Sequence, residues 1–372
     1  MAQYNNETQT RKYEFISGQH GGYYRHDFID HAYLYNLYFP PETVFASFKD
    51  QIHDIVLNYP VAQYALAGLI GNLVLQPPER IVVGNGAAEL IKIVSGHIAR
   101  KLIVPVPSFN EYANAAPTGR AVEYALEFPS FHLDVDKFAA GAIRVKADVA
   151  VVVTPNNPTS MVVPRSDLMS LAQKLANHDC MLIVDESFID FVHNPDQATL
   201  ENEIEHYPNI AIFKSMSKAY GICGLRIGYM LTANSAFTEA VRNGVHIWNI
   251  NGFAEEFLRL LPAYRQEFID SCKQVRKDRD KLYENLRVVK GLTVYKPDAN
   301  FIFCRLPDHA QSAPEVTRRL FIEHNMYMKH CQGKTLPDSD RYIRIASRTQ
   351  TENRKLVVAL ADIIDSKKAE IS

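Results

Sequence analysis

Short apolar runs alternate with amphipathic stretches through the middle of the chain. Nearly every position in a run is apolar, without the in–out alternation of a half-exposed strand, which is typical of strands covered on both faces. The stretches between the runs, such as 87–98 and 165–176, have helical spacing. The runs are 81–83, 102–106, 149–153, 181–184, 210–213 and 227–231. This order predicts an α/β domain with a mostly parallel sheet and right-handed crossovers.

The pattern changes after about residue 250. Apolar and charged residues mix at helical spacing over 254–286, which predicts one long helix. Predicted strands over 292–295, 301–306, 326–330 and 342–346 follow, with predicted helices over 313–324 and 351–364. We expect Thr351 to cap the last helix.

These changes divide the chain into four predicted parts. Residues 1–45 match neither pattern and are predicted to form an N-terminal arm. We expect a large domain over 46–250, a connecting helix over 251–285 and a smaller α+β C-terminal domain over 286–372.

Composition excludes several functional classes. The 372 residues include 40 Lys and Arg against 42 Asp and Glu, so no basic excess indicates nucleic acid or an anionic membrane as a partner. No apolar run approaches the ~18–20 residues of a membrane-spanning helix, and the polar start lacks a secretory signal. Five scattered cysteines without C-x-x-C spacing are typical of reduced thiols in the cytoplasm, and their spacing argues against a metal site.

Polar residues follow most of the predicted strands, where open α/β sheets bind ligands. The strongest motif, 213–221, contains Ser215, Ser217 and Lys218 and is followed by Gly-x-Arg-x-Gly around Arg226. A lysine beside small hydroxyl residues and an arginine suits an imine-forming amine next to a phosphate site. A surface lysine in a glycine-rich loop is the alternative.

Three further strand ends carry candidate groups. Asp185 ends a buried strand, where a carboxylate is costly unless a cation meets it; an Asp bonded to backbone is the alternative. Asn157 lies between two prolines that would fix the direction of its amide, and a plain turn is the alternative there. Small residues at Gly86, Ala87 and Ala88 would let backbone N–H groups at a helix start bind a phosphate.

Together these groups meet the needs of one cofactor, pyridoxal phosphate: an imine lysine, a partner for the ring nitrogen, a bond to the ring hydroxyl and a phosphate site. The set and its order resemble the fold-type I pyridoxal-phosphate enzymes of the class I and II aminotransferase family, over nearly the whole chain. The resemblance implies an aminotransferase-like three-layer α/β domain with a mostly parallel seven-stranded sheet, and a smaller α+β C-terminal domain.

The resemblance also implies roles for individual residues. Lys218 would carry the cofactor as an imine, and Asp185 would meet the ring nitrogen. Phe109 would stack on the ring, and Tyr59 would reach the phosphate of the neighbouring subunit's cofactor, which implies a homodimer. The other cofactor-binding residues would be Gly86, Ala87, Ala88, Asn157, Ser215, Ser217 and Arg226. Phe188 departs from the tyrosine of many relatives, so a hydroxyl bond to the ring oxygen is absent there.

Two branches of the family fit, and both handle phosphorylated small amines. One is histidinol-phosphate aminotransferase, and the other is threonine-phosphate decarboxylase. The segments that look more like the second branch are 20–22, 184–191, 292–295, 299–300 and 342–348. We therefore expect decarboxylation of a small phosphorylated amino acid, such as O-phosphoserine or O-phosphothreonine, with transamination as the alternative.

Four residues match substrate positions of these branches. His20, Lys329 and Arg344 match positions that hold anionic groups in the decarboxylase branch, and Asn36 matches an asparagine near the substrate in both. Relatives usually have arginine at the position of Lys329, and lysine keeps the charge without the bidentate fork. The alternative is an ordinary arm or strand residue in each case, and Arg348 is an open alternative to Lys329.

Reaction type depends on geometry that the sequence does not contain. The bond at the substrate Cα perpendicular to the cofactor ring breaks most easily, and it leads either to the carboxylate or to hydrogen. A regulatory or sugar-modifying protein of the same fold is another alternative. A nicotinamide-dependent dehydrogenase is disfavoured, because 84–86 lacks the full G-x-G-x-x-G and no acidic residue ends the next strand.

Overall fold

A computed structural model describes residues 2–19 and 21–366, so the predicted substrate residue His20 lies outside the described residues. The described residues form two compact units. The large unit contains residues 35–157 and 161–274, and the small unit contains the described residues of 1–34, 158–160 and 275–372. The four-part division predicted from sequence stays a prediction.

Strands and helices alternate through the large unit, whereas the small unit mixes short strands with longer helices. The strands are β1 (Ile29–Asp30), β2 (Ile81–Asn85), β3 (Leu102–Val106), β4 (Ala121–Ala125), β5 (Val149–Val153), β6 (Met181–Asp185), β7 (Ile210–Ser215), β8 (Ile227–Leu231), β9 (Thr293–Val294), β10 (Phe301–Arg305), β11 (Met326–Tyr327), β12 (Lys329–His330) and β13 (Tyr342–Ala346). The α-helices are α1 (Ala2–Ser17), α2 (Glu42–Leu57), α3 (Gln63–Val74), α4 (Ala87–Ile93), α5 (Glu111–Ala115), α6 (Val135–Val145), α7 (Arg165–Ala176), α8 (Pro195–Ala198), α9 (Met216–Ala219), α10 (Ser235–Gly244), α11 (Gly252–Leu260), α12 (Arg265–Arg287), α13 (Ala313–His324) and α14 (Gln350–Asp365). Within the described ranges, no helix has the length and apolar character needed to cross a membrane.

The large unit is built on a seven-stranded sheet in the order β2-β8-β7-β6-β5-β3-β4. Neighbouring strands from β7 to β4 are parallel, whereas β8 runs antiparallel to both β2 and β7. The predicted seven-stranded, mostly parallel sheet is confirmed. Six of its strands match the predicted apolar runs to within two residues; β4 does not, because this edge strand alternates between half-buried and exposed positions.

One edge of this sheet collects the carboxyl ends of the parallel strands, where open sheets bind ligands. β6 ends there at Asp185 and β7 at Ser215. β8 runs the other way, so it starts at this edge, where Gly228 pairs with Ser215 and Arg226 directly precedes the strand. Strand direction therefore brings together polar residues that are far apart in sequence.

The small unit contains an antiparallel sheet in the order β12-β13-β10-β9 and a parallel pair of β1 and β11. One continuous strand was predicted over 326–330, but this segment forms β11 and β12 in different sheets. Met328 separates them, and its side chain is buried in the core that α13 and α14 form with the antiparallel sheet. Met328 is therefore apolar because it lies in the core, at the point where the chain passes from one sheet to the other.

The segment predicted as helical over 254–286 is helical throughout, but it is not one uninterrupted α-helix. α11 ends at Leu260, residues 261–264 form one turn of 3₁₀ helix, and α12 begins at Arg265. Pro262 lies in this turn and has no N–H for the helical hydrogen-bond ladder, which explains the interruption.

Thr349 caps α14, so the predicted cap at Thr351 is wrong. The Thr349 hydroxyl accepts the backbone N–H of Glu352 at 3.4 Å, and the Glu352 carboxylate accepts the backbone N–H of Thr349 at 3.3 Å. This reciprocal capping box requires a glutamate three residues after the cap. Thr351 is instead followed at that spacing by Arg354.

We expect Thr349→Ala to lower the free energy of unfolding by about 1 kcal/mol, because the backbone N–H of Glu352 loses its hydroxyl partner. Chemical denaturation of the purified variants measures this. Thr351→Ala is the matched control and should change stability by less than about 0.5 kcal/mol. The reverse ranking of the two variants would contradict the cap assignment.

Candidate active site

Lys218 lies in a short helical turn directly after β7. Ser215 ends the strand and α9 follows at once, so the lysine stays near the sheet edge. Its side chain is half-buried, which suits an amine that must be accessible and partly desolvated. Gly221 closes the turn with φ of 64°, and a Cβ there would collide with the carbonyl oxygen of Phe39. Only glycine fits this left-handed, crowded position.

Asn36 fixes the lysine turn. Its backbone N–H donates to the Lys218 carbonyl at 2.9 Å, and its buried side-chain amide donates to the Ala219 carbonyl (2.9 Å) and to Ser271 Oγ (2.7 Å). The side-chain oxygen accepts the backbone N–H of Tyr38 at 2.9 Å. Both ends of the amide thus hold the protein's own backbone and side chains, and the substrate contact of Asn36 stays a prediction.

Asp185 is a buried carboxylate, with 3% of its surface exposed. One oxygen accepts the backbone N–H of Ser187 at 3.0 Å, and the other accepts the hydroxyl of Tyr112 at 2.9 Å. Burial raises the pKa of Asp185 above its usual value, although these hydrogen bonds and the charge of Lys218 act in the opposite direction. A further cation or N–H donor would stabilise the ionised form of such a buried carboxylate.

Arg226 lies at the sheet edge where the sequence predicts a phosphate site. Its guanidinium donates to Ser217 Oγ at 3.2 Å and to the Cys223 carbonyl at 3.3 Å, and its own carbonyl accepts the N–H of Gly86 at 2.9 Å. Gly86 has φ of 68°, and a Cβ there would collide with the Arg226 guanidinium. The missing side chain therefore lets the arginine lie against the backbone at the start of α4.

The remaining cofactor residues predicted beside this arginine lie at the same edge. Ala87 and Ala88 form the first turn of α4, the former buried and the latter exposed. Ser215 is half-buried at the end of β7, and its N–H donates to Ser187 Oγ at 3.0 Å. Hydroxyl, guanidinium and backbone N–H groups together are suitable donors for a phosphate.

Asn156 ties two strand ends together. Its side-chain oxygen accepts the Ser108 hydroxyl at 2.7 Å, and its amide nitrogen donates to the Pro107 carbonyl at 2.9 Å. This bridge positions Asn157, which is buried beyond β5, and Phe109, whose half-buried ring packs against the core of the large unit. Both predicted residues thus lie at the sheet edge that carries Asp185.

Tyr59 lies on the surface of the large unit with 77% of its surface exposed. Its ring stacks on Trp248, with centroids 4.2 Å apart and planes 20° apart. The exposed hydroxyl suits a contact beyond this chain, as the predicted role requires.

Two predicted substrate residues meet in the small unit. Lys329 and Arg344 are directly opposite in the register of β12 and β13. Lys329 Nζ lies 2.8 Å from the Tyr327 hydroxyl, and the Arg344 guanidinium donates to the Ala32 carbonyl at 2.7 Å. Burial lowers the pKa of both groups, and the charge of Arg344 further lowers that of Lys329. Like charges opposite each other are unfavourable, so the pair favours an anion.

Two further cations of the small unit are Lys334 and Arg348. Lys334 was not predicted, and burial lowers its pKa to about 8, with the charge of Arg344 acting in the same direction. Arg348, the alternative to Lys329, donates to the Asp30 carbonyl at 3.0 Å and pairs with Glu352 at 3.0 Å. These contacts give Arg348 a structural role, which favours Lys329 as the substrate-binding candidate.

The sequence interpretation missed Tyr112, the hydroxyl partner of Asp185. An aromatic residue in a short helix after Phe109 has the pattern of a core residue, and Tyr112 is indeed fully buried. The sequence signal for this contact was that a buried Asp185 needs hydrogen-bond donors.

A buried ionic network adjoins Asp185 and was also missed. Lys214 Nζ lies 3.2 Å from Asp190 and 3.7 Å from Glu201, and Glu201 accepts the Tyr229 hydroxyl at 2.6 Å. Glu186 accepts the Thr199 hydroxyl at 2.6 Å and the Leu200 N–H at 2.8 Å. Burial, followed by the charge of Glu201, raises the pKa of Glu186 to about 7. These bonds link the segment after β6 to β7 and β8.

Comparison with known proteins identifies the family of this chain. Residues 46–360 match the family described as aminotransferase class I and II. The chain belongs to this family. The prediction made from the motifs is thereby confirmed, and so is pyridoxal 5'-phosphate as the cofactor, since it is the cofactor of this family.

Relatives of this chain carry the names of different enzymes. The chain is 41% identical over 349 residues to a CMP-5'-(3-aminopropyl)phosphonate synthase of Streptomyces rubellomurinus, covering 94% of this chain and 55% of that protein. It is 31% identical to an L-serine phosphate decarboxylase of Sulfurospirillum multivorans, covering 84% and 81%. It superimposes on a histidinol-phosphate aminotransferase of Clostridium acetobutylicum with a TM-score of 0.82, at 25% identity, covering 91% and 99%. The chain therefore spans only about half the length of the synthase.

The donor set of the large unit fits the family's cofactor. Asp185 offers a buried carboxylate to a ring nitrogen, and Arg226 and Ser217 offer donors to a phosphate. The charge of Lys218 also acts to lower the pKa of Asp185. The predicted aminotransferase-like fold is confirmed by the similarity to the solved structure.

We expect Glu186→Gln to change how stability depends on pH. The folded-state pKa of about 7 lies above the usual 4.5, so the native state binds the extra proton between these values. The free energy of unfolding therefore falls as pH rises from about 4.5 to about 7, and Gln removes this loss. Chemical denaturation at pH 5 and pH 8 should show the variant gaining stability relative to wild type at the higher pH. Exposed Glu123→Gln is the control, and an equal shift in both variants would contradict this assignment.

Proposed function

We propose that this chain is a pyridoxal-phosphate enzyme that decarboxylates a small amino acid bearing a phosphate or phosphonate group. The observation that supports the cofactor is the buried Asp185, which accepts hydrogen bonds from Tyr112 and Ser187 and lies within the influence of the charge of Lys218. The identity to the serine phosphate decarboxylase and to the phosphonate synthase supports the substrate class. O-phosphoserine, O-phosphothreonine and a related phosphonate all carry the dianion that such a substrate requires.

Each cofactor-site residue has a task that its environment supports. Lys218 holds the cofactor through its amine and moves protons at the substrate Cα. Asp185 holds a proton on the ring nitrogen, while Arg226, Ser217 and Ser215 bind the phosphate. Asn157 binds the ring hydroxyl. When bound, the cofactor supplies a sink for the electron pair released at Cα.

Substrate orientation decides the reaction. We propose that Lys329 and Arg344 bind the anionic groups of the substrate, because two partly buried cations opposite each other are stabilised by an anion. A carboxylate held so that its bond to Cα lies perpendicular to the cofactor ring is lost as CO2. His20 keeps its predicted role in binding an anionic group.

Transamination is the second candidate. The similarity to histidinol-phosphate aminotransferase favours it, at a TM-score of 0.82 over 91% of the chain. Lys218 would then remove the proton at Cα, and a keto acid would be required to complete the cycle.

A homodimer in the cytoplasm is also part of the proposal. Large apolar side chains are exposed on the large unit near Tyr59, and such groups favour burial against another protein. They include Val56, Leu57 and Ile247. All five cysteines lie in the described part of the chain and none forms a disulfide, which suits a reducing compartment.

The deciding experiment offers O-phosphoserine and O-phosphothreonine with and without 2-oxoglutarate. We expect release of CO2 that needs no keto acid, because a decarboxylase restores its own cofactor. Lys218→Ala should lose the imine absorbance and all turnover. Glutamate formation would select the transaminase instead, and retained turnover in Lys218→Ala would contradict the mechanism.

Arg344→Ala should raise KM for the phosphorylated substrate by roughly ten- to hundredfold, the usual effect of losing a hydrogen bond to a charged group. Steady-state kinetics measure this, and the imine absorbance should be unchanged. Arg354→Ala, which removes an exposed arginine of α14, is the matched control. An unchanged KM in Arg344→Ala would assign Arg344 to structure alone.

A further inference from the structure

Trp248 has an unusual backbone. Its φ is 54°, in the left-handed region that bulky side chains rarely adopt. Strain of this kind persists only where surrounding contacts fix it, and it is frequent at functional sites. The chain contains no other tryptophan, and 49% of this one is exposed, so core packing does not explain its conformation.

The Trp248 indole ring supports the ring of Tyr59. The two rings stack at 4.2 Å with an interplanar angle of 20°. Tyr59 is 77% exposed. An exposed side chain loses rotamer entropy when its hydroxyl must be held in one direction. The indole face restricts this freedom before any partner arrives, which is preorganisation.

The segment that carries Trp248 is tied to the phosphate-binding backbone. The Asn249 side chain donates to the Val83 carbonyl (3.0 Å) and to the Glu89 carboxylate (2.7 Å), and the Asn249 carbonyl accepts the Asn85 side chain (2.9 Å). These partners flank Gly86 at the end of β2 and the start of α4.

A second bond ties the other end of the segment. Asn251 Nδ2 donates to the carbonyl of Leu225 at 3.0 Å, and Leu225 directly precedes Arg226. Asn251 also caps α11 by accepting the N–H of Ala254 at 2.9 Å. The strained backbone of Trp248 is therefore held by bonds to both parts of the chain that bind the phosphate.

We propose that Trp248 is a positioning residue that holds Tyr59 in the orientation needed to bind the cofactor phosphate of a second copy of this chain. This inference rests on the proposed cofactor site and homodimer. Trp248 acts only through the tyrosine ring, and its anchored segment sets the place of that ring relative to the phosphate-binding backbone of its own subunit. The exposed apolar side chains beside it, Leu57 and Ile247, suit a second copy as the occupant of this surface.

The test is a double-mutant cycle on cofactor affinity. Tyr59→Phe removes the hydroxyl and keeps the stack, whereas Trp248→Ala removes the stack and keeps the hydroxyl. Each should weaken binding of pyridoxal phosphate by roughly three- to tenfold, measured by titrating the imine absorbance. The double variant should bind no more weakly than Tyr59→Phe, because Trp248 acts through the hydroxyl. Additive losses would overturn the proposal.

Three controls separate positioning from structure. Trp248→Phe keeps an aromatic face and should restore affinity, and Tyr24→Ala, at an aromatic residue 82% exposed in the small unit, should have no effect. Trp248→Gly relieves the left-handed strain, so it should weaken cofactor binding without lowering the melting temperature. All variants should sediment as dimers. A monomeric Trp248→Ala, or a Trp248→Gly that melts earlier with unchanged affinity, would assign Trp248 to assembly or stability.

The single tryptophan also provides a readout that needs no cofactor. Tyr59→Leu should change the fluorescence of Trp248 in protein stripped of pyridoxal phosphate, because the stacked ring is lost. Unchanged emission would show that the stack does not exist in solution and would overturn the inference. A wild-type protein that forms no imine would instead overturn the proposed function, while the fluorescence result would still report on the stack.

Discussion

The buried carboxylate of Asp185 is the constraint on which the large unit depends. An ionised carboxylate loses several kcal/mol of hydration when it is buried, and hydrogen bonds recover only part of this. Tyr112 and Ser187 supply two such bonds and Lys218 supplies charge, yet burial still raises the pKa of Asp185. Under the proposed function, a protonated ring nitrogen would offset the unfavourable remainder.

Asp190 differs from Asp185 in its partners. It lies five residues later, is partly buried, and pairs with Lys214 at 3.2 Å inside a network that also contains Glu201 and Tyr229. Lys214 gives that carboxylate a paired charge, and the network links the segment after β6 to β7 and β8. An ion pair of this kind contributes to structure. A buried carboxylate that accepts hydrogen bonds but has no directly paired cation is a better candidate for binding a ligand.

The sequence predicted the features that depend on local pattern, and it missed those that depend on tertiary contact. Buried strands such as β5 have a continuous apolar run, whereas the edge strand β4 has none, so only the first kind was found. The motif around Lys218 was informative because several polar types cluster within a few residues. Tyr112 and Trp248 were missed because an aromatic residue has the same pattern whether it fills a core, bonds a carboxylate or stacks on a neighbour. The cap at Thr349 was available in the T-x-x-E spacing, but hydrophobic periodicity alone placed it two residues too late.

The reaction type is harder to assign than the cofactor, because different residues determine the two. The residues that fit the cofactor serve decarboxylation and transamination equally, since both reactions need the same electron sink and the same ring protonation. Discrimination must come from groups that fix the substrate carboxylate relative to the cofactor ring. Asn36, one candidate for this task, already uses both ends of its amide to hold the Lys218 turn. The opposed pair of Lys329 and Arg344 is therefore the pair that we propose for this task.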